Sequence, residues 1–169
     1  EVLKNFFNKV YDDLHNFLQV KLKPKMAIRE ALYIRQCCDM LQGLLTTVDD
    51  IPRTYSDKHL ERFFIFSVMW SLGAALELDD RSKLEQYAVK MPVKMDWPKC
   101  MTDESIFEYV VADSGRWEHW RERVESFSYP EDQILEYTSI LVPNVDNTRT
   151  AFLIETIAKQ GKAVLLIGE

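Results

Sequence analysis

Apolar residues recur at helical spacing through the first ninety positions. Leu3, Phe6, Phe7, Val10, Leu14, Phe17 and Leu18 fall at i, i+3, i+4 and i+7, which is one face of an α-helix. Lys21 to Lys25, with Pro24 inside, interrupts that face. A second stripe follows at Ile28, Ala31, Leu32, Cys38, Leu41 and Leu45, and Val48 to Tyr55, containing Asp49, Asp50 and Pro52, reads as a loop. Ser56 or Asp57 can cap a third helix that starts near Lys58. Its centre, Phe63 to Trp70, is apolar on every side. A helix without a polar face has to be surrounded, so this one is expected to be the hub of the helical part. Asp79 offers a cap for a short fourth helix through about Met91, which completes a four-helix unit over residues 1–95.

Met91 to Ser105 carries Pro92, Trp97 and Pro98 without a clear period, and a domain boundary is expected there, with a second domain over 96–169. Ile106 to Val111 is rich in β-branched and aromatic residues, and Asp113-Ser114-Gly115 signals a turn. Trp117, Trp120, Val124 and Phe127 fit helical spacing, yet two tryptophans beside a turn also suit a hairpin; the hairpin or an irregular extended segment is the preferred reading. Ser139 to Val142 is a short β-like run ended by Pro143. Asn144 or Asp146 can cap an amphipathic helix from about Asn147 to Gln160, and Gly161 suits the position just past its end. Ala163 to Ile167 is then apolar without alternation, as expected of a parallel strand covered on both faces.

Composition narrows the function classes. With 47% hydrophobic and 12% aromatic residues a packed core is available, and disorder throughout is not expected. A net charge of −6 argues against a broad nucleic-acid surface, which needs a basic face to displace counterions. The longest nearly uncharged apolar stretch, Phe63 to Leu76, is shorter than the roughly 20 residues a bilayer requires, so no membrane span is expected. Cys37, Cys38 and Cys100 read as reduced thiols, the first two as small core residues. His15, His59 and His119 are scattered without metal-ligand spacing, and His15 falls on the polar side of the first helix, where solvation is expected. Given the acidic balance, Trp117 and Trp120 fit a small apolar plug better than a base-stacking platform.

The last residues are the most informative. A buried parallel strand needs neighbours on both edges, and the chain ends at Glu169, so the sheet is expected to be completed by sequence outside this stretch. Helix, Gly161-Lys162, five apolar residues and Gly168 is how many P-loop domains approach their nucleotide, although any other βα turn fits the same short pattern.

Three segments carry a family resemblance. Phe64-Ile65-Phe66-Ser67-Val68-Met69-Trp70-Ser71-Leu72-Gly73 resembles the helix that closes the second AAA+ module of dynein heavy chains. The run from Ser139 to Thr150, SILVPNVDNTRT, resembles the opening of the third module. The run from Ile157 to Glu169, IAKQGKAVLLIGE, resembles the helix and first strand before that module's Walker A loop. The wording of the last two is nearest the axonemal, ciliary dyneins. The resemblance implies a mixed α and α/β fold: a helical small (lid) subdomain, then the incomplete start of a P-loop AAA+ α/β subdomain. It implies ATP or ADP as the nucleotide, with Mg in the parent protein. Leu141, Val142 and Pro143 would pack on the adenine, and Gly168 would be the first Walker A glycine. Arg62 would be a candidate sensor arginine, although the residues favour a solvated or salt-bridged arginine on a helix face. The Walker A lysine, the Walker B acid and the arginine finger have no counterpart here, so no catalytic residue and no hydrolysis by the segment alone are expected. The implied partners are the rest of the dynein ring, the microtubule, and the other heavy, intermediate and light chains. The implied location is the cytoplasm and cytoskeleton, in the ciliary axoneme. A helical protein-interaction module, or part of another P-loop ATPase, are the alternative readings.

Overall fold

The computed structural model describes residues 1–46, 54–128 and 140–166, and these fall into two units, Glu1–Glu118 and His119–Glu169. The first unit opens with a helix in three pieces: α1 (Val2–Phe6), a π-helical turn (Phe7–Tyr11) and α2 (Asp12–Lys21). The π turn takes one residue more than an α turn, which rotates everything after it by roughly 100°. Val10 and Tyr11 are therefore both buried, and the buried set of α2 is Leu14, His15 and Leu18. This overturns the solvated reading of His15: its ring stacks on Tyr11 at 5.7 Å and meets Tyr33 edge-on at 5.6 Å. Phe17 swings away from that face and stacks on Tyr87 at 4.1 Å.

Helix α3 (Glu30–Leu45) buries Tyr33, Cys37, Met40 and Leu41. The expected stripe holds at Leu41 but not at Leu32 or Cys38. Leu32 and Cys38 are exposed, because Tyr33 and Cys37 are the residues that meet the His15 ring and Ser71. Residues 47–53, most of the expected loop, lie outside the described residues.

Helix α4 (Asp57–Gly73) is the hub: from Phe63 to Gly73 every residue is buried. Ser56 caps it, its hydroxyl accepting from the His59 amide at 3.2 Å. The far end is closed by Arg81 of α5 (Leu78–Lys90), whose guanidinium donates to the carbonyls of Gly73 (2.8 Å) and Ala74 (3.1 Å). Those are acceptors that a helix end leaves without an intrahelical donor. Asp79 was expected to cap α5, but Glu77 holds that position without a side-chain bond, and Asp79 lies in the first turn. A carboxylate is also favourable there, facing the positive end of the helix dipole.

After α5 the chain makes a 3-10 turn (Ile106–Glu108), then β1 (Tyr109–Val111) and β2 (Trp117–His119), which pair as a hairpin. The turn signal at Asp113-Ser114-Gly115 is realised: Gly115 has φ +79°, and its amide donates to the Ala112 carbonyl at 2.8 Å. The first unit continues to Glu118, so the division into compact units does not fall within Met91 to Ser105. Phe107 explains part of this, since its ring meets Trp70 edge-on at 5.1 Å.

That contact also gives Gly73 a reason. A Cβ on Gly73 would sit 2.6 Å from Cζ and 2.9 Å from Cε1 of the buried Phe107 ring. Gly73→Ala is expected to cost about 1–2 kcal/mol by overpacking. Urea denaturation measures it, and an unchanged midpoint would show that the ring has room to yield.

In the second unit a 3-10 turn (Trp120–Arg123) packs on α6 (Val145–Ala158). Trp120 is fully buried and meets Phe152 edge-on at 5.3 Å, with the Arg123 guanidinium over both rings. Asn144 caps α6, and Gly161 takes the left-handed conformation just past its end. Two expected strands are not formed. Residues 140–142 and 162–166 lie outside any strand, and Leu141, Val142, Leu165 and Leu166 are exposed. A strand is held by the ladder of a neighbour, and the one sheet among the described residues is the β1–β2 hairpin. Ser139, Ile167 and Gly168 lie outside the described residues. The described residues are thus mostly helical, with one small two-stranded sheet among them.

Candidate functional site

In the first unit a polar cluster joins the start of α4 to the hairpin through Asp96. Asp96 is held through both its backbone and its carboxylate. Its backbone N–H donates to Glu61 Oε1 (2.9 Å), and its carbonyl accepts from Trp117 Nε1 (2.7 Å). Its Oδ2 accepts from Arg62 Nε (2.9 Å) and Nη2 (2.6 Å). The remaining Arg62 terminus donates from Nη1 to the Gly115 carbonyl. Adjacent residues on one helix, Glu61 and Arg62, thus grip one residue from both its backbone and its side chain. Charge-assisted bonds of this kind are stronger than neutral ones and fix geometry as well.

A second carboxylate does similar work further along. Glu85 of α5 accepts from Ser105 Oγ (2.6 Å) and from the Ile106 amide (3.0 Å), which caps the 3-10 turn. Between the two grips, Ile106, Phe107, Val110 and Val111 are buried. Residues 96–118 are therefore strapped onto α4 and α5 by apolar burial between two acidic fastenings.

The ring of His59 lies under this strap. It meets Tyr55 edge-on at 4.9 Å and Phe63 at 4.4 Å, and a Cβ on Gly115 would come within 2.9 Å of its Nδ1. Its Nε2 is buried without a hydrogen-bond partner among the described residues. Burial, and then the Arg62 guanidinium, hold its pKa below the ordinary imidazole value, with Asp113 pulling the other way.

The thiols of Cys37 and Cys100 are held in the protonated form. Burial pushes Cys37 up to about 12 and Cys100 up to about 11, far from the thiolate a nucleophile needs. Among the described residues no group of three His, Cys, Asp or Glu is placed to hold a metal ion.

Of the residues singled out from sequence, Arg62 lies in the Asp96 cluster of the first unit. Leu141, Val142 and Pro143 lie together just ahead of α6 in the second, with Leu141 72% and Val142 50% exposed. Gly168 lies outside the described residues. Sequence reading missed Glu61, Asp96 and Glu85. Asp96 follows Lys94-Met95 and precedes Trp97-Pro98 in a stretch without period, and nothing in its local pattern links it to an arginine 34 positions earlier.

The first unit is thus a helical unit clasped by a hairpin strap through two acidic fastenings. Residues 3–122 match the model of the dynein heavy chain AAA lid domain, and the chain belongs to that family. It is 45% identical to dynein axonemal heavy chain 8 of Mus musculus, over 99% of this chain and 4% of that protein. It is also 45% identical to dynein axonemal heavy chain 5 of Rattus norvegicus, over 100% of this chain and 5% of that protein. The dynein gamma chain of the flagellar outer arm of Chlamydomonas reinhardtii is 29% identical over 96% of this chain and 4% of its own length. The chain thus spans about one twentieth of the length of these relatives.

Proposed function

We propose that this chain is a segment of an axonemal dynein heavy chain, an ATP-driven microtubule motor of cilia, and that it couples two nucleotide sites without completing either. The observation that carries the reading is 45% identity along the whole chain to two axonemal heavy chains, joined to a lid-family match that spans the helical unit. In this reading the helical unit is the small lid of the second AAA+ module, and the C-terminal unit is the approach to the third. The parent motor binds ATP or ADP with Mg, and works with the rest of the ring, the microtubule and the other dynein chains in the axoneme.

The segment's own contribution is apolar. Leu141, Val142 and Pro143 offer an uncharged surface to an adenine ring, a contact that needs shape and not charge. Gly168 begins the phosphate loop. The donors of Arg62 are engaged by Asp96 and Gly115, so reaching a phosphate would require that pair to open; we assign Arg62 to the strap.

The test is a structure of the heavy-chain motor domain containing this segment, with Mg·ADP bound. The adenine of the third module is expected against Val142 and Pro143, and a nucleotide seated elsewhere in that module would overturn the assignment. In the same motor domain, Val142→Asp is expected to weaken Mg·ADP binding at that module by about tenfold or more, since a desolvated carboxylate costs more than the roughly 1.4 kcal/mol a decade requires. Equilibrium binding with a fluorescent ADP reads it.

A further inference from the structure

We propose that His59 is a proton-operated latch for the β1–β2 turn: a neutral imidazole seats the turn on the start of α4, and a proton taken up by the buried ring unseats it. The inference rests on how the ring is enclosed. Tyr55 and Phe63 cover two of its sides, and the backbone of Gly115 lies against Nδ1 so closely that even a Cβ would collide there. Gly115 has φ +79°, so the turn reaches this close approach with a residue that carries no side chain in the way. Nε2 faces no acceptor among the described residues.

Protonation makes both ring nitrogens donors and places a full charge in this enclosure. The charged groups that face it there are Arg62, on its own helix, and Asp113, in the turn. Arg62 repels the imidazolium, and its guanidinium is fixed by Asp96 and the Gly115 carbonyl. The faces of Tyr55 and Phe63 offset part of the burial cost, but they supply no acceptor for an N–H. The cost is relieved when the turn 112–116 lifts, which hydrates the ring and lets Asp113 approach it. The Arg62–Gly115 bond is given up in the same movement, while the Asp96 pair and the burial of Phe107 remain. The latch therefore releases the tip of the strap and not its root.

The sign follows from linkage. His59 binds a proton less readily under the seated turn than in the lifted state, where its affinity returns towards the ordinary 6.5. Seating is complete above that value and is lost as pH falls from it towards the lower value of the seated ring. For one proton, the opening constant rises by up to about tenfold per pH unit in that window.

The experiment is amide hydrogen exchange on the 169-residue chain between pH 7.5 and 5, divided by the intrinsic chemical rate at each pH. The reporters are the Ala112 and Gly115 amides, which bond to Arg116 O and Ala112 O. Their opening is expected to rise with that slope, while the Val68 amide inside α4 stays protected. The His59→Gln variant should remove the slope, and Asp113→Asn should carry it to lower pH. Should a variant fail to fold, the parent suffices: the imidazole carbon shift of His59 and the Gly115 amide shift must share one midpoint. No slope in the parent, the same slope in His59→Gln, separate midpoints, or Val68 opening together with the turn would each overturn the latch.

Discussion

Trp70→Ala is expected to lower the stability of the first unit by about 3–5 kcal/mol, the usual cost of truncating a large buried aromatic. Trp70 is 6% exposed, and three distinct contacts are lost with it. Its ring meets Phe107 edge-on at 5.1 Å and packs on Phe66 within α4. The Arg81 guanidinium lies over both Trp70 (5.6 Å) and Phe107 (5.4 Å) while its nitrogens close the end of α4. One substitution thus empties the space beneath the strap and loosens the residue that satisfies the last carbonyls of the hub helix. Trp70→Phe, which keeps an aromatic against Phe107, is expected to recover more than half of the loss. Urea unfolding followed by far-UV circular dichroism measures both. A loss below about 1 kcal/mol for the alanine variant would mean that the hub collapses around the gap, a result outside the range of comparable cores.

What could be read from the chain, and what could not, divides along the distance of the interactions involved. Helix α4 was legible because an apolar run without a polar face has one physical solution, and its Ser56 cap is a local signal. The Gly115 turn and the Asn144 cap were legible for the same reason. Periodicity failed where its fixed angle per residue failed. The π turn at Phe7–Tyr11 shifts the phase of α2, so His15, assigned to water, is among the most buried polar residues. In α3 the stripe held at Leu41 but failed at Leu32 and Cys38, because Tyr33 and Cys37 are selected by their neighbours on other helices. The run 163–167 looked like a strand by composition, but composition supplies no ladder partner. For the candidate site the contrast is sharper. Leu141, Val142, Pro143 and Gly168 were visible only through the family resemblance, and Arg62 was noticed without its partner. Asp96, Glu85 and the close approach of Phe107 to Gly73 depend on tertiary meetings that no window of sequence contains.

Asp96→Ala is the change expected to do the most damage among the polar residues, about 2–3 kcal/mol. The carboxylate takes two charge-assisted bonds from Arg62, and bonds to charged groups are each worth about 1.5–3 kcal/mol. The side chains are 18% exposed for Arg62 and 36% for Asp96, so water screens part of the pair and the sum is discounted accordingly. The backbone bonds of residue 96 to Glu61 and Trp117 survive the substitution, so the loss belongs to the carboxylate. Arg62 is left with the Gly115 carbonyl and a charge that no carboxylate offsets. Two further variants separate the causes. Asp96→Asn keeps the size and one acceptor oxygen but not the charge, and should lose less than the alanine. The Arg62→Ala, Asp96→Ala double variant should be less destabilised than the sum of the two singles, because the second truncation no longer strands a charge. Strict additivity in that cycle would mean that the two side chains act independently, and the strap would then be held by Phe107, Glu85 and the burial between them.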